Sequence, residues 1–239
     1  MDLTDKVAVV TGASSGLGRH LAKALVRRDA HVFGLARRKK KLNEVRQDLG
    51  SQFHPVTCDV RKEKQVQSAF ETVRSEGGRL DVLINNAGLG QFGAVDEFPT
   101  EKWDVQHETN LRGTFLCARA AVEPMKAQNE ADGFGGHIIN IASIAGLVSN
   151  PNISAYNASK YGVRGFSKAI MKELRDDGIK VSCLYPGSVD TNFFDVAGAD
   201  MTANPMQPES VTETVIHLLE TPDNYLISEV VMRPLRPRG

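Results

Sequence analysis

The stretch Lys6-Val-Ala-Val-Val-Thr-Gly-Ala-Ser-Ser-Gly-Leu-Gly18 decides the fold of this chain of 239 residues. Its first six residues are an almost continuous apolar run, which is typical of a strand buried on both faces. Gly12, Gly16 and Gly18 then allow a tight turn in which a pyrophosphate can approach the backbone. Residues 16 to 28 carry apolar side chains at helical spacing, and a helix start offers free N–H groups to an anion. The unit favours a nucleotide site, with an ordinary glycine-rich turn as the alternative.

Strands and helices alternate along the rest of the chain. The pattern predicts further strands at 30–36, 52–58, 80–85, 136–142, 179–185 and 225–232, and helices at 38–49, 62–76, 100–128, 154–177 and 208–220. This alternation implies right-handed crossovers and a parallel sheet. We therefore predict one α/β domain over 1–239, a doubly wound, Rossmann-type sheet of seven parallel strands with helices on both faces. Such sheets bind ligands at the carboxyl ends of their strands.

Composition argues against several classes of function. Lysine plus arginine and aspartate plus glutamate are both 29, so a general nucleic-acid binder and an electrostatic membrane binder are disfavoured. No apolar run approaches the roughly 18 residues that span a bilayer, and the polar N-terminus lacks the plan of a signal peptide. Cys58, Cys117 and Cys183 fit neither a disulfide framework nor a metal site. We expect a cytoplasmic protein with a small-molecule substrate and no metal.

The end of the second strand bears on the choice of cofactor. An NAD site usually places a carboxylate there, but this chain has Ala36 followed by Arg37 and Arg38. A guanidinium suits a 2′-phosphate, which a carboxylate would repel. NADP(H) is therefore preferred, with Arg37 first and Arg38 second, and NAD(H) stays possible. Asp59 follows the third strand, where it can accept from the adenine amino group.

A tyrosine, a lysine and a serine carry the candidate chemistry. Tyr156 and Lys160 are four residues apart at the start of a long predicted helix, so they share a face. A nearby ammonium favours the phenolate, and we expect it to lower the pKa of Tyr156 into a range suited to proton transfer. Ser143 ends the fifth strand at the same edge of the sheet. The alternative is a surface Tyr–Lys pair, which is common.

Together these residues resemble the classical short-chain dehydrogenase/reductase family over essentially the full chain. The resemblance rests on Thr11-Gly12, Gly16-Leu17-Gly18, Asp59-Val60, Asn85-Asn86-Ala87-Gly88, Asn110, Ser143, Tyr156 with Lys160, and Pro186-Gly187 with Thr191. It implies an oxidoreductase acting on a carbonyl or alcohol, with the catalytic set Asn110, Ser143, Tyr156 and Lys160. It also implies that the cofactor contacts Gly12, Ser14, Ser15, Gly16, Leu17, Gly18, Arg37, Arg38, Asp59, Val60, Asn86, Ala87, Gly88, Tyr156, Lys160, Pro186, Gly187, Val189 and Thr191.

The resemblance assigns a role to each catalytic residue. Tyr156 is the acid/base, Lys160 lowers its pKa and binds the nicotinamide ribose, and Ser143 orients the substrate carbonyl. Asn110 would hold a water that links Lys160 to a proton relay. Ser15 stands where many NADP-binding members have arginine or lysine, which weakens the case for NADP.

The sequence constrains the substrate and the oligomeric state less than it constrains the catalytic residues. Members of this length resemble 3-oxoacyl-carrier-protein reductases or small carbonyl reductases, and the C-terminal residues resemble sepiapterin-reductase-like members. A non-catalytic NADP(H)-binding sensor and an epimerase or dehydratase are alternatives. We expect specificity from 90–95, 149–154 and the substrate lid 192–208, and interpret 233–239 as a C-terminal tail. A homodimer or homotetramer through helices 100–128 and 154–177 is expected.

Overall fold

Seven strands pair in parallel into one sheet in the computed structural model, which describes residues 1–133, 135–198 and 201–237. The strands are β1 (Val7–Thr11), β2 (His31–Ala36), β3 (Phe53–Thr57), β4 (Val82–Asn85), β5 (Gly136–Ile141), β6 (Ile179–Pro186) and β7 (Glu229–Met232). Their order is β3-β2-β1-β4-β5-β6-β7, so the chain reverses its direction of winding between β1 and β4. The predicted doubly wound parallel sheet is confirmed.

The helices follow the predicted alternation. They are α1 (Gly16–Val26), α2 (Lys39–Leu49), α3 (Glu63–Gly77), α4 (Thr100–His107), α5 (Gly113–Asp132), α6 (Ser154–Leu174), α7 (Phe193–Ala197) and α8 (Pro208–Leu219). One wide π-helical turn, Glu108–Arg112, joins α4 to α5, so the predicted helix 100–128 is interrupted by that turn and ends four residues later than expected. Among the described helices, none is long and apolar enough to cross a membrane.

Two apolar layers hold the helices against the sheet. One face packs on α1 and α8, with Leu21, Leu25 and Leu219 fully buried. The other face packs on α3, α5 and α6, where Leu116 and Met125 contribute. Side chains alternate between the two faces along each strand, so the central strands must be apolar on both sides. This requirement explains the continuous apolar runs in the sequence.

The start of the last strand was misplaced, and one short helix was not predicted. The last strand starts at Glu229 rather than 225, because its pairing with β6 begins only where Glu229 lies opposite Cys183. The short helix α7 has only five residues, too few for a helical period to be visible in the sequence. It lies in the predicted lid 192–208, of which Ala199 and Asp200 fall outside the described residues.

The C-terminal tail contacts the lid segment. The Asn204 side chain donates to the carbonyl of Leu235 at 2.7 Å, and the Ala203 amide donates to Pro237. Arg238 and Gly239 of the predicted tail lie outside the described residues. The described part of the tail is thus held against the segment that follows β6.

Candidate active site

The glycine loop between β1 and α1 leaves room for a ligand against its backbone. Gly12 and Gly16 have φ of +71° and +50°, a region that side chains with a Cβ rarely adopt. A Cβ on Gly12 would also lie 3.0 Å from the Ala87 Cα atom. The first turn of α1 has no acidic residue, and no side chain caps its N-terminus. Its free N–H groups and dipole therefore suit an anion such as a pyrophosphate.

Gly18 is required for packing rather than for contact with a ligand. A Cβ there would lie 2.3 Å from the Gly12 carbonyl oxygen and 2.5 Å from the Asn86 side-chain nitrogen. Gly18 is buried and does not line the cleft described below. It allows α1 to pack directly on the β1 turn, so its contribution to a nucleotide site is indirect.

A single cleft of about 650 Å³ runs along the carboxyl ends of the strands. It crosses the point where the order of the strands reverses, which is where open α/β sheets bind their ligands. Every predicted site residue lines it except Gly18 and Asn110. The predicted residues in the wall are Gly12, Ser14, Ser15, Gly16, Leu17, Arg37, Arg38, Asp59, Val60, Asn86, Ala87, Gly88, Ser143, Tyr156, Lys160, Pro186, Gly187, Val189 and Thr191.

Two arginines stand at one end of this cleft. The Arg38 guanidinium donates to the Ser14 hydroxyl at 3.0 Å and to the Ser15 hydroxyl at 2.7 Å. Arg37 lines the same end of the cleft. Ser15 thus connects the glycine loop to a cation, although it carries no positive charge itself.

The Asp59 carboxylate forms an ion pair with Arg61. The Arg61 guanidinium donates to both carboxylate oxygens, at 2.6 Å at its shortest, and lowers the pKa of Asp59. The Arg61 backbone amide also donates to Oδ1 at 3.1 Å, so the contacts from Arg61 occupy most of the about four lone-pair positions of the carboxylate. The side chain lines the cleft in a fixed orientation.

Ser143, Tyr156 and Lys160 meet at the other end of the cleft. The Ser143 hydroxyl accepts from the Ala145 amide at 3.1 Å, which leaves its proton free for a bond to the Tyr156 phenol that lowers the pKa of Tyr156. The Lys160 ammonium lies 5.8 Å from the centre of the Tyr156 ring and donates to the Ile141 carbonyl at 3.0 Å. The one-turn spacing on α6 therefore brings both side chains to the end of β5.

The expected lowering of the Tyr156 pKa is wrong for this structure. Burial raises the pKa of Tyr156 to about 12, and the bond with Ser143 offsets only part of that effect. Burial also lowers the pKa of the Lys160 ammonium to about 8. Removal from water disfavours both charged forms, and it is the largest cause of each shift.

Asn110 lies behind the cleft, in the π-helical turn. Its side chain accepts from the Leu89 amide at 2.9 Å and donates to the Leu89 carbonyl at 2.9 Å and to the Ser159 hydroxyl at 3.0 Å. Ser159 in turn donates to the Tyr156 carbonyl at 2.8 Å. Asn110 therefore braces both the loop after β4 and the helical turn that carries Tyr156.

Three supporting residues were not among the predicted site residues. The Thr11 hydroxyl accepts from the amides of Asn86 and Ala87 at 3.0 and 2.9 Å, which ties the ends of β1 and β4 together. Asn157 donates to the carbonyls of Ala145 and Val148 and so holds the segment after Ser143 on α6. Thr11, Asn157 and Ser159 lie inside or beside the quoted motifs, but only the fold reveals their partners.

Comparison with known proteins agrees with this geometry. The family described as short chain dehydrogenase matches residues 6–202. The chain belongs to the short-chain dehydrogenase family. An uncharacterised oxidoreductase of Staphylococcus aureus is 34% identical over 239 residues, covering 98% of this chain and 99% of the relative. Membership makes the protein an oxidoreductase.

Solved structures of other short-chain dehydrogenases superpose closely. A 3-ketoacyl-(acyl-carrier-protein) reductase from Brucella melitensis, complexed with NADH, has a TM-score of 0.90 at 28% identity, covering 99% of this chain and 100% of that one. A metagenomic short-chain oxidoreductase in complex with NADP has a TM-score of 0.85 at 33% identity, covering 98% and 99%. Similar short-chain dehydrogenases thus bind either nucleotide.

Proposed function

We propose that this protein is an NADPH-dependent reductase of a carbonyl compound, with Tyr156 as the proton donor. The observation that carries the proposal is the meeting of Ser143, Tyr156 and Lys160 at one end of a cleft whose other end is a glycine loop beside two arginines. The glycine loop and the uncapped start of α1 fit a pyrophosphate, and the arginines fit a further phosphate. A bound nicotinamide would supply the hydride.

Tyr156 supplies the proton. A pKa of about 12 keeps its phenol protonated at neutral pH, ready to protonate the oxygen of a carbonyl that accepts a hydride. The Ser143 hydroxyl, bonded to the Tyr156 phenol, is placed to orient the same carbonyl oxygen. Lys160 holds a positive charge one helical turn away, where it stabilises the phenolate that forms as the proton leaves.

Preference for NADPH over NADH rests on Arg37 and Arg38. The second strand ends in Ala36, so no carboxylate there repels a 2′-phosphate. Arg38 is oriented by two serine hydroxyls toward the glycine loop, and Arg37 lines the same end of the cleft. Charge-assisted bonds from guanidinium to phosphate are about twice as strong as neutral ones.

For the substrate we propose a 3-oxoacyl thioester or a small ketone or aldehyde. A pterin carbonyl is the second candidate, suggested by the C-terminal sequence. A non-catalytic NADP(H) sensor is disfavoured because burial of the Lys160 ammonium costs free energy, a cost that a protein that only binds the nucleotide has no reason to bear.

We also propose that copies of the chain associate through α5 and α6. Both helices expose a large aromatic side chain: Phe115 on α5 is 41% exposed and Tyr161 on α6 is 39% exposed. An equilibrium sedimentation measurement tests this: a mass close to one chain, 26.1 kDa, at micromolar concentration contradicts it.

The function is tested by NADPH oxidation at 340 nm over a panel of an acetoacetyl thioester, a diketone, an aromatic aldehyde and a pterin, each repeated with NADH. Tyr156→Phe should bind NADPH like the parent enzyme but turn over roughly 10²–10⁴ times more slowly. Tyr225→Phe is the matched control, because Tyr225 is 53% exposed and does not line the cleft. Tight NADPH binding without any turnover supports the sensor instead.

A further inference from the structure

Two phenylalanine rings flank the phenol of Tyr156. The Phe92 ring meets it edge-on, with 5.7 Å between ring centres and 71° between planes. The Phe193 ring lies 5.8 Å away, tilted by 47°. Both rings line the cleft. A carbonyl compound whose oxygen bonds the Tyr156 phenol must therefore place a substituent next to these rings.

The chain is built to let these two rings approach each other. A Cβ on Gly90 would lie 2.7 Å from the tip of the Phe193 ring and 3.0 Å from the tip of the Phe92 ring, so a side chain there would displace the rings from these positions. The Phe92 loop is tied down by a 2.7 Å bond from the Gly93 amide to the Asn152 carbonyl. Phe193 begins α7 and packs edge-on against Phe194. The two rings thus form one wall.

The substrate end of the cleft carries few charged side chains. Among the described lining residues, the charged side chains are Arg37, Arg38, Asp59 and Lys160. The first three lie at the nucleotide end, and the Lys160 ammonium is bonded to the Ile141 carbonyl. The substrate end is otherwise completed mainly by apolar side chains, which include Leu89, Ile144, Ile153, Val189 and Val196. Among the described lining residues Lys160 is the only cation at this end, and the proposed mechanism uses its charge for the Tyr156 phenolate, so a substrate carboxylate would lack a cation of its own.

We infer that the substrate is an uncharged carbonyl compound with an aryl or other flat conjugated group on the carbonyl carbon, and that Phe92 and Phe193 select it. This inference rests on the proposed function, since it places the carbonyl oxygen on Tyr156, and it narrows the proposed substrates to the ketone or aldehyde rather than the 3-oxoacyl thioester. Aromatic groups prefer edge-to-face or offset contacts with ring centres about 4.5–7 Å apart. An aryl group next to the Tyr156 phenol would lie beside both phenylalanine rings, where such contacts can form. A flat substituent keeps such contacts, whereas a saturated ring of similar size loses them.

The reaction balances without a further reactant. The carbonyl carbon gains a hydride from NADPH, which becomes NADP⁺, and the carbonyl oxygen takes the proton of Tyr156. The product is the corresponding aryl alcohol, and the Tyr156 phenolate regains a proton from solvent.

The first experiment compares matched substrates with the wild-type enzyme and NADPH. Phenyl methyl ketone is paired with cyclohexyl methyl ketone, and methyl phenylglyoxylate is paired with its free acid. We expect kcat/KM to be at least tenfold higher for the aryl ketone than for its saturated analogue. The neutral ester should exceed the free acid by at least a hundredfold.

The second experiment changes the rings themselves. Phe92→Leu and Phe193→Leu should each lower kcat/KM for the aryl ketone by about five- to tenfold, with less than a twofold change for the cyclohexyl ketone. Phe98→Leu is the matched control, because Phe98 is in the loop of Phe92 but outside the cleft lining, and it should change neither value. Circular dichroism verifies that each variant is folded.

The outcomes separate the two proposals. Equal kcat/KM for the aryl and cyclohexyl ketones, or a preference for the free acid, overturns the inference while Tyr156-dependent turnover preserves the proposed function. Equal losses on both ketones in the leucine variants also overturn it, because they indicate a general packing role. No Tyr156-dependent turnover of any carbonyl overturns both.

Discussion

The Lys160 ammonium donates to the backbone carbonyl of Ile141 at 3.0 Å, at a position where only 5% of the lysine is exposed. This bond fixes the charge one turn from the Tyr156 phenol. It also holds the cation where water cannot solvate it, and burial lowers its pKa to about 8. The position that serves proton transfer is therefore unfavourable for the lysine itself.

The pH dependence of reduction should follow Lys160 rather than Tyr156. A lysine with a pKa of about 8 loses its positive charge as the pH rises through that value, whereas Tyr156, with a pKa of about 12, stays protonated. We expect kcat/KM for reduction to be level below pH 8 and to fall up to about tenfold per pH unit above it. Lys160→Arg, which keeps its charge, should remove the fall. A profile of the wild-type enzyme that is level to pH 10 contradicts this assignment.

Replacing Lys160 by methionine should stabilise the protein at neutral pH while abolishing most activity. Holding the ammonium at a pKa of about 8 instead of 10.5 costs roughly 3 kcal/mol at pH 7. Loss of the hydrogen bond to Ile141 destabilises the variant by about 1 kcal/mol, which offsets part of this gain. The free energy of unfolding of Lys160→Met, measured in urea without nucleotide, should exceed that of the parent by about 2 kcal/mol.

The stability advantage of Lys160→Met over the parent should depend on pH. In the unfolded chain the lysine binds its proton up to about pH 10.5, but in the folded protein only up to about pH 8. The unfolded state thus binds more protons between these values, and the wild-type stability rises with pH across that window. The advantage of Lys160→Met should shrink from pH 8 to pH 10. An advantage that is independent of pH would point to packing instead of charge.

Removing either arginine at the nucleotide end should weaken the binding of NADPH and leave the binding of NADH unchanged. We expect Arg37→Ala and Arg38→Ala each to raise the KM for NADPH about 10- to 100-fold, as loss of a charged hydrogen bond predicts. Lys39→Ala is the control, since it removes the same charge from an adjacent exposed residue outside the cleft. Steady-state kinetics with both nucleotides measure the effect. An equal rise in the KM for NADH would mean that the arginines do not bind the 2′-phosphate.

Adding one methyl group at Gly18 should disturb the β1 turn. The new Cβ would lie 2.3 Å from the Gly12 carbonyl oxygen, so the turn or α1 must shift. We expect Gly18→Ala to lower the free energy of unfolding by about 1–3 kcal/mol and to weaken NADPH binding. Thermal unfolding and fluorescence titration measure the two effects.

Gly165→Ala is the matched control for this change. Gly165 lies inside α6 and a Cβ there meets nothing within 4 Å, so alanine should stabilise the helix by up to about 1 kcal/mol. Unchanged stability in Gly18→Ala would contradict close packing at the turn.

Much of the fold follows from periodicity, which a sequence displays directly. The apolar runs at β1 and β4 exist because both faces of each strand are covered, and the intervening helices show their own spacing. The helix α7 was missed because five residues are too few to show a helical period. The start of β7 was misplaced because the apolar residues 225–227 extend its pattern although they lie outside the strand. The cleft position followed from the rule for parallel sheets, since each motif ends a strand at the same edge.

The sequence by itself determined the doubly wound sheet, the glycine loop, and the residue types of the reactive set, because these depend on local pattern and on strand order. Only the tertiary structure decided how that set behaves. The direction of the pKa shifts of Tyr156 and Lys160 depends on burial by segments far away in the chain. The hydrogen bond of Asn110 to Ser159 and the contacts of Phe92 and Phe193 with Tyr156 join residues separated by tens of positions. Desolvation and packing arise from the whole fold, so no spacing rule along the chain reveals them.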